Sequence, residues 1–296
     1  MSDTCVVGLV GLGQMGGRMA RRFHGAGWRV LGWDASEPAI AAAAAEGVEP
    51  AANPAAVAAA APMIVTSLPD VDALHAVMFG ESGVASSAHP DSLVVDTTTL
   101  TPDQAREVGD GLARCGIGFL DAPVTGGTGG ADAGTLGIMV GGEAALFERA
   151  RPLLAVIGST VVHCGPTGSG QVVKAVNQLI VVATLGAVAE ALVLAEAAGV
   201  NPAVAREVML SGYAASRVLD NGGGRMISRD FAPGGKAVYN LKDMAALAEL
   251  STVGRVRIPV FNAAAAYITA LVASGGGDLD NAAIIDVIAR SPSVAG

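Results

Sequence analysis

Aromatic side chains make up only 4% of this 296-residue chain, and histidine (four) and cysteine (three) are scarcer still. With few large rings, any core has to be closed by small aliphatic side chains in tight contact. Cys5, Cys115 and Cys164 are scattered, with no C-x-x-C pair, and the histidines are too few to complete a convincing metal cluster. The three cysteines, each beside an expected buried strand or loop, read as reduced core thiols of a cytoplasmic protein. Positive charge is in deficit as well: 18 Lys and Arg stand against 27 Asp and Glu, a net charge of -9. No basic stripe offsets this, which argues against nucleic acid or an anionic membrane as a partner and leaves room for a local basic site that takes a small acid. No charged start leads into an apolar export segment. The stretch 179–198 comes closest to an unbroken apolar run, but Thr184, Glu190 and Glu196 interrupt it, and it reads as a buried helix.

What the chain has in quantity is alanine, valine and glycine, with 40 glycines and 51% hydrophobic residues. That composition and this length suit two packed domains. From Cys5 to Cys164 short apolar strands alternate with helical segments. The strand candidates are 5–10, 29–33, 63–67, 93–96, 118–121, 137–141 and 160–163, a pattern that predicts an α/β fold built on a doubly wound, mainly parallel sheet over residues 1–165. After 165–170 the strand signals stop. The remainder, 166–296, reads as helices broken at 199–202, 221–224, 232–235, 257–259 and 275–278, an all-helical second domain. The alanine-rich stretches 39–62 and 263–270 read as plain helix rather than disorder. No fixed-period repeat is present.

The first strand runs into Gly11-Leu12-Gly13-Gln14-Met15-Gly16 and then a helix expected over 18–26. In this arrangement the first glycine permits a tight turn, the second lets a pyrophosphate approach the backbone, and the third lets helix and strand pack closely. The second strand ends at Asp34, near the spacing of the carboxylate that accepts hydrogen bonds from the adenosine ribose hydroxyls. A carboxylate there favours NAD, since it would repel a 2′-phosphate. Ala35, Ser36 and Glu37 offer no arginine to pair with such a phosphate, although Arg21 or Arg22 could approach from the helix, so NADP stays open. Asp34 also reads as an N-cap for a helix over 38–46.

Two clusters follow later strands, where α/β sheets bind ligands. Ser67-Leu68-Pro69-Asp70 and Asp96-Thr97-Thr98-Thr99 should face the cofactor. In Asp121-Ala-Pro-Val-Thr125-Gly126-Gly127-Thr-Gly-Gly130 a hydroxyl precedes paired glycines, whose amides suit a carboxylate; the same residues also read as an ordinary turn. Beyond the first domain, Gly168-Ser-Gly-Gln-Val-Val-Lys174-Ala-Val-Asn177-Gln178 opens a long helix with a base and two amides on about one face. A lysine among apolar neighbours loses hydration, which suits acid/base work near neutral pH; alone, it also reads as a solvated helix-start residue.

Taken together, these motifs resemble the β-hydroxyacid dehydrogenase family. The resemblance covers nearly the whole chain and is carried by Gly8-Leu-Val-Gly11-Leu-Gly13-Gln-Met-Gly16, by 121–127 with 133–136 and 139–142, by 168–174, and by Leu241-Lys242-Asp243. It implies an N-terminal Rossmann domain, a helical C-terminal domain that builds a homodimer or homotetramer, and a cleft between them for a small carboxylic acid. It also implies roles: Lys174 as general acid/base, Thr125 with the amides of Gly126 and Gly127 as carboxylate site, and Lys242 near the cofactor or substrate. Two departures stand out. Thr125 replaces the usual serine and adds a methyl group, and Asn177 lies three residues after the lysine where the family often has asparagine four after it, at Gln178. Either amide fits the task of orienting the substrate hydroxyl. The expected substrate is unphosphorylated, of the tartronate semialdehyde/glycerate or 3-hydroxyisobutyrate type. An imine or ketone reductase and a non-catalytic dinucleotide-binding scaffold are the alternatives on the same fold, and Lys174 counts against both.

Overall fold

The computed structural model describes residues 5–290, and its internal contacts divide the chain into one unit ending at Lys174 and another beginning at Ala175. The first unit runs β1 (Val6–Val10), α1 (Gly16–Gly25), β2 (Arg29–Trp33), α2 (Glu37–Ala45), β3 (Glu49–Pro50), α3 (Pro54–Ala60), β4 (Met63–Thr66), α4 (Val71–Phe79), β5 (Leu93–Asp96), α5 (Pro102–Arg114), β6 (Gly118–Asp121), β7 (Val124–Thr125), α6 (Gly127–Ala133), β8 (Leu136–Gly141), α7 (Ala144–Ile157) and β9 (Gly158–Gly165). It ends within α8 (Ser169–Ala197), which continues into the second unit. All the expected strands form. β3 and β7, two residues each, were not anticipated, because segments so short carry no periodic signal.

The strands build one sheet in the order β3-β2-β1-β4-β5-β6-β8-β7, with β9 on β8. β1 to β6 pair in parallel, β8 runs antiparallel to β6 and β7, and β9 returns parallel to β8. Side chains alternate faces along each strand. Leu93 and Val95 of β5 join Val7, Leu9, Met19 and Phe23 on one face. Val94 joins Val10, Ile64 and Leu74 on the other. A sheet buried on both faces explains why its strands read as continuous apolar runs. β1 crosses over in both directions, to β2 and to β4, so the chain reverses beside its carboxyl end.

Local chemistry sets the helix ends. Ser36 and Asn53 accept hydrogen bonds from Ala39 and Ala56 amides, with prolines in the first turns of α2 and α3. Thr101 and Gln104 close a capping box on α5. On α1, Met19, Ala20 and Phe23 face inward, and Phe23 meets Trp28 with ring centroids 6.1 Å apart.

The second unit continues α8 and adds α9 (Pro202–Leu210), α10 (Gly223–Ser228), α11 (Asn240–Gly254), α12 (Pro259–Leu271) and α13 (Ile284–Arg290). Its core joins Val182, Leu185 and Ala189 of α8 to Phe261, Ala265 and Ile268 of α12. Gly186 brings these helices together: a Cβ there would lie 2.8 Å from that of Ala264. Close by, the Tyr267 hydroxyl donates to Glu190 at 2.8 Å.

Three expectations are corrected. Residues 221–224 do not break the helix; a π turn at Val218–Gly222 leads directly into α10. Cys5 and Cys115 are exposed and Cys164 is half-buried, so none is a core thiol. By internal contacts the first unit runs on to Lys174, and the Gly168 amide at the start of α8 is hydrogen-bonded to Asp121 of β6. α8 is not wholly buried, since Val176, Ile180 and Leu194 are exposed; by length and composition alone, it and Pro259–Gly276 are apolar enough to cross a bilayer.

Truncating Phe23 leaves a cavity between α1 and the sheet. Phe23→Ala is expected to lower the unfolding free energy of the first unit by about 3–5 kcal/mol in denaturant titrations. A loss under about 1 kcal/mol would show that this face of the sheet repacks freely.

Candidate active site

The turn after β1 sorts its glycines by task. Gly11 has φ +93°, and a Cβ on it would overlap the Ser67 carbonyl oxygen. A Cβ on Gly16 would overlap the Gly11 carbonyl oxygen, so only glycine lets α1 start so close to the strand. At Gly13 a Cβ would meet nothing within 4 Å, and Gly13 and Gln14 are exposed. The open position is therefore the one where a pyrophosphate needs the backbone bare. α1 starts at Gly16 with no side-chain cap and no acidic residue in its first turn, which leaves its amides for an anion. Met15 packs against the core, and Leu12 is buried.

Asp34 supports this turn. Its Oδ2 accepts from the Leu12 amide at 2.6 Å and its Oδ1 from the Ser36 amide at 2.7 Å. The cap of α2 is Ser36, not Asp34. Across the crevice the Leu68 amide donates to the Thr98 hydroxyl at 3.1 Å, and the Thr97 hydroxyl to the Thr66 carbonyl at 2.6 Å. The loops carrying Leu68, Pro69 and Thr99 are thus cross-linked at the carboxyl ends of β4 and β5, while Asp70 caps α4.

The turn after β6 brings the next group together. β7 ends at Thr125, and Gly126 (φ +119°) and Gly127 (φ +61°) are exposed in backbone conformations that favour glycine. A Cβ on Gly127 would point into open space. Half-buried Lys174 reaches this turn, its Nζ donating to the Val124 carbonyl at 3.0 Å. On α8 in the second unit, Asn177 Nδ2 donates to Gln178 Oε1 at 3.0 Å, and Gln178 Nε2 to Asp243 Oδ2 at 2.6 Å. Lys242, next to Asp243, places its Nζ 5.8 Å from the Tyr239 ring centroid.

Residues 6–165 match the family model described as the NAD binding domain of 6-phosphogluconate dehydrogenase, and residues 168–288 that of the NAD-binding region of NADP-dependent 3-hydroxyisobutyrate dehydrogenase. The chain belongs to the β-hydroxyacid dehydrogenase family. It is 36% identical to 2-(hydroxymethyl)glutarate dehydrogenase of Eubacterium barkeri, over 97% of this chain and 96% of that one. It is 34% identical to 2-hydroxy-3-oxopropionate reductase of Escherichia coli, over 95% and 96% of the two chains. The crystal structure of 3-hydroxyisobutyrate dehydrogenase from Salmonella typhimurium superposes with a TM-score of 0.88 at 30% identity, over 96% of this chain and 99% of that one. As a member of this family the chain is an NAD(P)-dependent hydroxyacid oxidoreductase, and its glycine turn fits the dinucleotide on the geometry above.

Several residues of this β-hydroxyacid dehydrogenase escape a reading of motifs alone. Gln171 is buried, accepting from the Leu100 amide at 3.1 Å and donating to the Thr98 carbonyl at 2.8 Å. Arg18 donates to both oxygens of Gln14, and to Asp132 of α6 at 2.9 Å, tying the glycine turn to the helix after Gly127. The third case is a pair of carboxyls. Asp96 and Asp121 stand opposite each other in the β5–β6 register, both buried. Asp96 Oδ1 accepts from the Thr66 hydroxyl at 2.6 Å, while its Oδ2 has no partner among the described residues. Burial pushes Asp96 up to about 6 against the hydrogen bonds from Thr66 and Thr98, and Asp121 up to about 6 against those from Gly168 and Gln171.

The sign of the pH dependence follows. Both carboxyls sit above their ordinary value of 3.8, so between about pH 4 and about pH 6 the folded chain holds protons that the unfolded chain has released. Their contribution to stability is complete below about pH 4 and is lost as pH rises through about 6. Relative to wild type, Asp96→Asn is expected to gain roughly 2 kcal/mol of unfolding free energy between about pH 4 and about pH 7. A difference that stays flat across that range would mean Asp96 is already charged in the fold.

Proposed function

We propose that this chain is an NAD-preferring dehydrogenase of a small, unphosphorylated 3-hydroxy acid or its semialdehyde, of the tartronate semialdehyde/glycerate or 3-hydroxyisobutyrate type, with Lys174 as general acid and base. The observation that carries the proposal is the 3.0 Å hydrogen bond from Lys174 Nζ to the Val124 carbonyl, which sets the amine beside Thr125, Gly126 and Gly127. The 2-hydroxy-3-oxopropionate reductase of Escherichia coli, 34% identical, supports the substrate class.

The bound nicotinamide supplies the carbon that takes or gives the hydride. The chain's own groups do the rest. The Thr125 hydroxyl and the Gly126 and Gly127 amides receive the substrate carboxylate. Neutral Lys174 takes the proton of the 3-hydroxyl at Nζ while hydride leaves the same carbon. In the other direction protonated Lys174 gives that proton to the carbonyl oxygen, and its charge steadies the oxygen as negative charge develops. The Val124 carbonyl engages one Nζ hydrogen and so directs the amine. Asn177 and Gln178, hydrogen-bonded to each other at 3.0 Å, supply the amides for the substrate hydroxyl. Asp34, with no arginine at residues 35–37, underlies the preference for NAD.

Reduced-nicotinamide absorbance, followed with NAD and with NADP against glycerate, 3-hydroxyisobutyrate, 3-hydroxypropionate and 6-phosphogluconate, checks the proposal. One small acid should turn over, faster with NAD. Lys174→Ala should lose about 10²–10⁴ in kcat with cofactor affinity intact. Full turnover in that variant refutes the acid/base role, and equal rates with NADP remove Asp34 as the discriminator.

A further inference from the structure

The chemistry proposed above makes no use of Asp121, yet its buried side chain is held at both oxygens. Both its oxygens grip the start of α8: Oδ1 accepts from the Gly168 amide at 2.7 Å and Oδ2 from the Gln171 amide at 3.0 Å. The segment that follows it along the chain supplies the Val124 carbonyl, which receives Lys174 Nζ at 3.0 Å. One short stretch of chain, 121–124, therefore holds α8 twice, through the Asp121 carboxylate at its first turn and, a turn later, through the Val124 carbonyl at the lysine amine. The junction has no slack. A Cβ on Gly170 would stand 2.8 Å from Asp121 Oδ2, and one on Gly141 would overlap Asp121 Oδ1. Gln171, fixed by its backbone to Asp121, carries the constraint on to Thr98 and Leu100 through its buried side chain.

We infer that Asp121 is a positioning residue for Lys174: its carboxylate fixes the height and rotation of the first turn of α8, and with them the direction of Nζ over the Thr125–Gly127 turn. The inference rests on the acid/base role proposed for Lys174. Asp121 itself touches neither substrate nor cofactor. An ionised carboxylate is the stronger acceptor for two amides, and a proton on it weakens both bonds. The titratable groups that face it are Asp96 across the β5–β6 register and Cys164 on β9, whose thiol is raised by burial and also by Asp121.

The test is Asp121→Asn in the full chain, made alone and together with Lys174→Ala, with kcat, KM and the cofactor dissociation constant measured for each. Alone, the variant is expected to lose roughly ten- to a hundredfold in kcat, as misplacement of a reacting group does, with KM and cofactor binding little changed. Added to Lys174→Ala it should cost nothing further, because the residue acts through the lysine. In the reductive direction protonated Lys174 is the active form, so loss of its proton removes activity toward alkaline pH and leaves the acid limb to another group. The acid limb of the wild-type profile near pH 6 should then belong to Asp121 and be absent from Asp121→Asn. Wild-type kcat in the single variant, or an equal loss with and without Lys174, overturns the inference. Full turnover in Lys174→Ala alone removes its premise, and that arm does not involve Asp121. Should Asp121→Asn fail to fold, wild type still decides: the carboxyl titration of Asp121 by NMR and the acid limb of kcat must share a midpoint, and separate midpoints overturn the inference.

Discussion

At the end of β6 a carboxylate lies out of water with its two oxygens against the amides that open the longest helix of the chain. Burying such a group is costly unless donors replace the water it loses. Here the donors are the Gly168 and Gln171 amides, at the end of the helix where the aligned peptide dipoles favour negative charge. The bond sets where α8 starts, and the rest of the first unit's site follows. Lys174 comes a turn later on the same helix, the Val124 carbonyl that meets it belongs to the strand segment leading from Asp121, and the Gln171 side chain holds the loop after β5. The contact boundary after Lys174, rather than at the glycines near 165, is another expression of the same bond.

Close approach of backbones is the common device throughout. A chain with so few rings has to pack by bringing elements together rather than by filling the space between them. Gly16 against Gly11, Gly170 against Asp121 and Gly186 against Ala264 are among the points where this happens. Each joins two elements that any side chain would separate. Gly13 differs: among the described residues nothing lies within 4 Å of a Cβ placed there, and it is the glycine of the family's dinucleotide turn whose bare backbone suits a pyrophosphate.

Much of this was legible beforehand, for identifiable reasons. Parallel strands buried on both faces are apolar without interruption, so their positions stood out. The glycine turn and Asp34 follow a spacing dictated by a ligand of fixed size. The Thr125–Gly127 turn and Lys174 lay in motifs carried by the family resemblance. What escaped were relations between distant segments. Nothing near Asp121 in the sequence announces partners at 168 and 171, and nothing near Gln178 announces Asp243. Asp34 looked like a cap because caps are read locally, whereas its carboxylate reaches back to Leu12. The glycines at 221–224 looked like a break, yet the tertiary setting keeps them helical. The cysteines looked buried because their neighbours are apolar, but Cys115 stands just past the end of α5, where the chain turns outward.

The scarcity of aromatic residues has a further side. The two tryptophans, Trp28 just before β2 and Trp33 at its end, lie in the first unit, the second of them next to Asp34, whereas all three tyrosines, Tyr213, Tyr239 and Tyr267, lie in the second. The two units thus carry different chromophores. Light at the red edge of protein absorption excites only indole, so its emission reports on the dinucleotide-binding unit, while the tyrosine ultraviolet bands belong to the helical one. Unlabelled wild-type protein can therefore be followed one unit at a time, and a melt in which the two signals part company would show the units yielding separately.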